Sequence, residues 1–142
     1  MENFEQPTIR HKKVFPKNLE ILEGMLFWIA QYALQNGFTK KESKDLEVAA
    51  EEVMANIIHH ADTEEAIEVV LLITARTIAV TFIDEGKEFN PLEQKKPSMD
   101  RPLDEMSIGG LGIFLMQQLV DDVSYKRENG CNVLRLTKNK ST

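Results

Sequence analysis

Three stretches of this chain place polar residues or glycines where an apolar pattern would otherwise run on. The first is Glu51-Glu52-Val53-Met54-Ala55-Asn56-Ile57-Ile58-His59-His60. A helical residue turns about 100°, so Glu52, Asn56 and His60 form one stripe at i, i+4 and i+8. The stripe borders the apolar face and should open into a cleft. Asparagine is a poor helix former and is costly near a core, so Asn56 needs a reason. Glu51 lies about 100° round from Glu52 and should face away. His59 and His60 do not suit a metal, because adjacent helical residues do not face each other. Taken alone, this stretch reads most simply as a polar helix edge.

The second stretch is Asp84-Glu85-Gly86-Lys87-Glu88-Phe89-Asn90-Pro91, entered directly from apolar residues. An acid at a strand end followed by glycine is commonly a turn. It is also where a carboxylate can face a buried ligand, a purine amino group being one suitable donor. The third is Gly109-Gly110-Leu111-Gly112-Ile113-Phe114-Leu115-Met116. Glycines let a backbone approach phosphates closely, and a helix N-terminus offers free N–H groups there. The G-x-G-x-x-G spacing is absent, and no Gly-Lys-Ser/Thr follows, so neither a dinucleotide fingerprint nor a P-loop is present.

The elements that must position these stretches can be read from periodicity. Residues 8–15 suit a short edge strand stopped by Pro16. Residues 17–36 suit a helix, with Leu19, Leu22, Leu26, Ile29 and Ala33 at helical spacing and Gly37 as its C-terminal cap. Thr39-Lys40-Lys41-Glu42 is a capping-box pattern and should start a helix over 40–60, buried through Leu46, Ala49, Ala50, Val53 and Ile57. Ala66–Thr74 and Ile78–Ile83 read as neighbouring strands joined by Ala75-Arg76-Thr77; apolar residues on both faces make them central. Residues 85–109 read as a long loop, which in a compact domain is often a lid. Gly110–Leu119 should be a helix. Val120–Lys126 and Cys131–Thr137 should close a hairpin around Glu128-Asn129-Gly130. The tail Lys138–Thr142 is expected to fray. The order β, α, α, β, β, loop, α, β, β indicates an α+β two-layer sandwich, with helices on one face of a mixed, mostly antiparallel sheet.

The chain's 142 residues fit one domain, 1–142, with 42% hydrophobic residues to fill a core. A net charge of -6, from 17 basic and 23 acidic residues, argues against general nucleic-acid binding. The basic clusters His11-Lys12-Lys13, Lys40-Lys41 and Lys95-Lys96 read as solvated surface. The lone Cys131 cannot form an internal disulfide and reads as a small buried residue. The polar, acidic start does not suit a signal peptide, and no apolar run approaches the roughly 20 residues that span a membrane. The cytoplasm is the expected compartment, with no membrane contact.

Taken together, the three stretches resemble, in order and spacing, the N, G1 and G2 boxes of the histidine-kinase-like (GHKL) ATPase superfamily. Glu52-x-x-x-Asn56-x-x-x-His60 resembles the N box, Asp84-x-Gly86-x-x-Phe89-x-Pro91 the G1 box, and Gly110-Leu111-Gly112-Ile113 the G2 box. Gly130-x-Asn132-x-Leu134-x-Leu136 is also similar, and the likeness runs from about residue 8 to 138. It is strongest to the bacterial anti-sigma-factor serine/threonine kinases. The resemblance implies a Bergerat-type ATPase fold using ATP and Mg²⁺, with residues 87–109 as the ATP lid.

The resemblance further implies that Asn56 binds Mg²⁺, Asp84 accepts from the adenine amino group, and Gly86 lets the base pack closely. Gly110 and Gly112 would bring N–H groups to the phosphates. Leu111, Ile113, Phe89 and Pro91 complete the nucleotide site, with Asn132 supporting the adenine end and His60 orienting groups beside the phosphates. Glu52 would be the general base. The chain departs from the family in that no arginine-rich run marks the lid, and Lys87, Lys95, Lys96 and Arg101 are only candidates for its cations. A sigma factor and an anti-anti-sigma antagonist are the implied partners. The alternative is an ATP-gated partner-switching module with little transfer. A sensor histidine kinase would need a dimerisation helix for which the chain has no room. Phe27, Trp28 and Tyr32 add large aromatics to the first helix, and these either mark a homodimer interface or cover the sheet.

Overall fold

A computed structural model describes residues 8–60, 65–93 and 108–141. The elements run β1 (Ile9–Phe15), α1 (Leu19–Gln35), α2 (Lys40–His60), β2 (Ile67–Ile73), β3 (Thr77–Asp84), a 3-10 turn (Pro91–Glu93), α3 (Ile108–Leu119), β4 (Asp122–Glu128) and β5 (Cys131–Asn139). The five strands form one sheet in the order β1-β2-β3-β5-β4. Every described pairing is antiparallel, where the sequence suggested a mixed sheet. As expected, β1 is an edge and β2 and β3 are central.

Strand parity decides which residues meet the helices. Val69, Phe82 and Leu134 share one cross-strand row, and Leu71, Val80 and Leu136 the next. All six are buried, and with Met25, Ile29, Ala33, Leu46, Ala50, Val53, Ile113 and Met116 they form the core between the sheet and the three helices. The same parity carries Asp84 and its direct partner Asn132 onto this helix-facing side, at the end of the rows.

Local chemistry fixes the ends of the elements. Asn18 caps α1, its Oδ1 accepting from Ile21 N–H at 2.9 Å. Gly37 follows α1 with φ +90°, a conformation that glycine adopts without strain. The capping box of α2 forms as read: Glu42 N–H donates to Thr39 Oγ1 at 3.0 Å, and Thr39 N–H donates to Glu42 Oε1 at 2.8 Å. Asn129 and Gly130 take φ of 52° and 77°, as a two-residue hairpin turn requires.

The tail is not frayed over Lys138–Ser141. β5 continues to Asn139, and the residues around its end reach three helices. Lys138 Nζ donates to Leu119 O at the end of α3 (2.6 Å) and to Asp45 of α2 (3.3 Å). Lys140 Nζ donates to Asn36 O at the end of α1 (2.7 Å), and Ser141 N–H donates to Glu42 Oε2 (2.6 Å). Lysines at helix C-termini complement the dipole as well as the free carbonyls. Cys131 is half-buried rather than buried. Trp28 and Tyr32 pack against β1, through Phe15 and His11, whereas Phe27 stays exposed. The side chains of Leu19 and Leu111, residues 94–107 with Lys95, Lys96 and Arg101, and the lid beyond Glu93 lie outside the described residues.

The Thr39 N–H is the main cause that the Glu42 carboxyl titrates at about 2; burial opposes this and Ser141 adds to it. Because the folded value is depressed, the stability it contributes is present above the ordinary value and is lost as pH falls toward 2. Glu42→Ala should therefore cost about 1–2 kcal/mol at pH 7, a fall of several degrees in Tm. Urea unfolding at pH 7 and pH 3 should show the gap to wild type narrowing in acid.

Candidate functional site

The second half of α2 lies across the sheet end where Asp84 and Asn132 emerge. A cleft opens there, lined by apolar side chains with a few polar groups among them, the usual make-up of a small-molecule site. Val53, Asn56, Ile57 and His60 form its α2 wall, and Ile113 and Met116 its α3 wall. Asp84 and Leu134 come from the sheet, Lys87, Phe89 and Pro91 from the segment after β3, and Tyr125 and Asn132 from the closing hairpin.

The polar end is organised around one amide. Asp84 is 4% exposed, and its Oδ1 accepts from Gly86 N–H at 2.9 Å and from Asn132 Nδ2 at 3.0 Å. Asn132 Nδ2 donates also to Lys87 O at 2.8 Å, while its Oδ1 accepts from Phe89 N–H at 3.1 Å and from the Tyr125 hydroxyl. All four hydrogen-bonding positions of the side-chain amide that these contacts use point to protein, which also fixes its orientation. Arg127 Nη1 donates to Gly86 O at 2.7 Å, pinning the same turn from β4. Asp84 is thus held by one oxygen, and Oδ2 takes no donor among the described residues.

The opposite wall differs. Asn56 Nδ2 is a buried side-chain atom with no hydrogen-bond partner among the described residues. Whichever way the planar amide turns, a polar atom inside the cleft waits for a ligand. Turned with its oxygen inward it offers a hard donor suited to Mg²⁺, which needs few protein ligands when phosphates supply the rest. The residues present therefore fit that ion. His60 stacks on Phe89, with ring centroids 4.1 Å apart and planes at 20°, closing one side. Burial, and then His59, push the His60 pKa below its ordinary value, so the ring is neutral at pH 7.

The expected residues are largely brought together: Asn56, His60, Asp84, Phe89, Pro91, Ile113 and Asn132 all line the cleft, and Gly86 underlies it. Glu52 does not line it. It lies half-buried beside Gly112 of α3, and burial, followed by the charge of Glu51, raises its carboxyl pKa. Glu51 is exposed, as expected. The third helix begins at Ile108, two residues before the expected start, so Gly110 lies in its first turn and Gly112 beyond it. Asn132 stands behind Asp84 as its support. Tyr125 and Arg127 were missed as site residues. The signal available for them was their alternation on β4, which sets both on the side of Asn132.

Several known proteins resemble this chain in sequence or in fold. The model of the histidine kinase-like ATPase domain family matches residues 15–138. The serine/threonine-protein kinase BtrW of Bordetella bronchiseptica is 32% identical over 115 residues, covering 79% of this chain and 81% of that protein. The serine-protein kinase RsbW of Bacillus thuringiensis is 26% identical over 140 residues, covering 94% of this chain and 85% of that one. Among solved structures, the RsbU and RsbW domains of a Mycobacterium tuberculosis protein superpose with a TM-score of 0.69 at 13% identity, a likeness of fold. That match covers 96% of this chain, which spans only 34% of the solved one.

Truncating Asn132 should show how much rests on it. Asn132→Ala leaves buried donors and acceptors unpaired on Asp84, Lys87, Phe89 and Tyr125. The expected cost is about 2–3 kcal/mol in urea unfolding, and an unchanged midpoint would mean that the amide carries no such network.

Proposed function

The chain belongs to the histidine kinase-like ATPase domain family, and from that premise we propose that it binds Mg-ATP in this cleft as an anti-sigma factor with serine/threonine kinase activity. The observation that carries the reading is the pairing of two unfilled polar positions across one cleft. Asp84 offers a carboxylate oxygen that takes no donor among the described residues, and Asn56 a buried Nδ2 with no partner among them. The first suits the amino group of adenine, and the second suits a metal ion that accompanies phosphates.

In this reading the base packs among Phe89, Pro91, Ile113 and Met116, with Gly86 underneath. Gly110 contributes N–H groups from the first turn of α3, where a helix has unpaired donors and a positive dipole end. Leu111 and Gly112 follow in the same box. Lys87, at the rim, is the described lid cation. When bound, Mg²⁺ would neutralise charge on the phosphates and hold them in place. Glu52 takes the proton from a serine or threonine hydroxyl of the acceptor. Its raised pKa brings it nearer to the working range of a general base. His60, neutral and stacked on Phe89, keeps the α2 wall against the loop after β3.

The relatives' names support the kinase activity, and the resemblance of the three boxes to the anti-sigma-factor kinases supplies the rest of the proposal: a partner-switching regulator in the cytoplasm whose acceptor is an anti-anti-sigma antagonist and whose other partner is a sigma factor. Among the described residues no helix is long and apolar enough to cross a membrane. A homodimer belongs to the proposal as well. Phe27 on α1 and Val14 on β1 are 64% and 58% exposed, and such residues suit a self-association face.

Thermal unfolding with and without Mg-ATP tests the site directly. At 100 times the dissociation constant, wild type should gain about 2.7 kcal/mol, a rise of roughly 5–10 °C. Asp84→Asn should abolish the rise. Glu52→Gln should keep it and lose phosphoryl transfer by about 10²–10⁴-fold. If Glu52→Gln transfers normally, or wild type binds nucleotide but transfers to no antagonist, the chain is an ATP-gated binding module instead.

A further inference from the structure

Gly112 has no local reason to be glycine. Glycine inside a helix is less favourable than alanine by about 0.5–1 kcal/mol. The positive-φ glycines among the described residues are Gly37 and Gly130, so Gly112 is not there for its backbone freedom. Nor is its N–H free for a ligand. In a helix that starts at Ile108, the N–H of Gly112 pairs with the carbonyl four residues earlier.

Space supplies the reason. Gly112 is buried where α3 packs against α2. A Cβ built on it would overlap Glu52 Oε2 and lie 3.1 Å from Glu52 Cδ and 3.7 Å from Oε1. Gly24, in the middle of α1, makes the contrast: nothing lies within 4 Å of a Cβ built there. The described contact thus sets a carboxylate against bare backbone. α3 carries no titratable residue anywhere along Ile108–Leu119, so Glu51 on α2 itself is the charged neighbour that acts on Glu52.

We propose that Gly112 is a positioning residue for Glu52: the missing side chain makes the seat in which the carboxylate is held at the α2–α3 contact. The inference rests on the reading of Glu52 as the general base. The colliding atoms are the far end of a flexible side chain, so an added methyl is relieved by turning Glu52 away. The fold keeps its stability and the base loses its place.

The test compares Gly112→Ala, Gly24→Ala, Glu52→Gln and the double variant Gly112→Ala/Glu52→Gln. The probe is Mg-[γ-³²P]ATP with water as acceptor. The water oxygen bonds to the γ-phosphorus, its proton passes to Glu52, and the bond to the bridging oxygen breaks to release ADP. Gly112→Ala should melt no lower than wild type. It should bind Mg-ATP within about threefold of wild type and turn over at least about tenfold more slowly. The double variant should be no slower than Glu52→Gln, because both changes remove one function. Gly24→Ala should match wild type throughout. Weakened Mg-ATP binding with turnover retained, or losses that multiply in the double variant, would overturn the proposal in favour of a phosphate-cradle role.

A second readout does not depend on catalysis. In the nucleotide-free protein, a carbon-13 titration of the Glu52 carboxyl should show a raised pKa that Gly112→Ala returns toward an ordinary glutamate. Gly24→Ala should leave it alone. If wild type neither binds nor turns over Mg-ATP, the functional reading fails, and the titration still decides the seat: a curve unmoved by Gly112→Ala overturns it.

Discussion

A carboxylate set in a core row is the constraint from which the site is built. Strand parity puts Asp84 on the same side as Phe82 and Val80, where an unpaired charge would be prohibitively costly. Two donors hold one of its oxygens, and one of them is Asn132. That amide is buried in turn and must find its own partners. It takes them from Lys87 and Phe89 after β3 and from Tyr125 on β4. The charge on one strand end thereby dictates the shape of the following loop and the chemistry of the closing hairpin. Such a network is costly if incomplete and rigid if complete. Among the described residues it leaves one oxygen of Asp84, a residue that lines the cleft, without a donor.

α2 answers this sheet end with a single straight element. Its N-terminus is locked by the capping box, and its middle is buried between α1, α3 and β5. Residues four apart on it therefore keep a fixed spacing along one face. Asn56 and His60 enter the cleft, and Glu52, one turn earlier, meets α3 instead. One helix carries an unpaired amide, a neutral imidazole and a carboxylate of raised pKa into three different surroundings. The difference lies in what each faces, since the helix treats all three alike.

What could be read from the sequence was whatever is decided locally. The capping box at Thr39 and Glu42, the cap at Gly37 and the turn at Asn129-Gly130 each involve residues a few positions apart, and each forms as read. The central place of β2 and β3, apolar on both faces, also carried through, and of the stripe on α2 Asn56 and His60 reach the cleft while Glu52 does not. Tyr125 and Arg127 were not legible as site residues, because their partners lie across a register that only the assembled hairpin defines; Arg127 and Gly86 are 41 residues apart. The polar run from Lys138 to Ser141 looks like a loose end for the same reason, since its partners lie up to 104 residues back. The start of α3 was misplaced by two residues because Ile108 and Gly109 read as loop, glycine being a poor helix former, yet the helix takes both into its first turn.

The place of β5 has a consequence for how the chain is made. This strand follows every other described element in the chain, yet it sits between β3 and β4, and the lysines at its end close the ends of α1 and α3. β1, α1, α2 and the β2–β3 hairpin can emerge from a ribosome and collapse together. They must then wait with an open strand edge on β3 and uncapped helix ends until residues 131–141 are free. Contacts of such long sequence separation are slow to form, and an open edge is the kind of surface that other chains pair with. Translation speed over residues 131–141, and the company of other nascent chains, therefore bear on the yield of native protein.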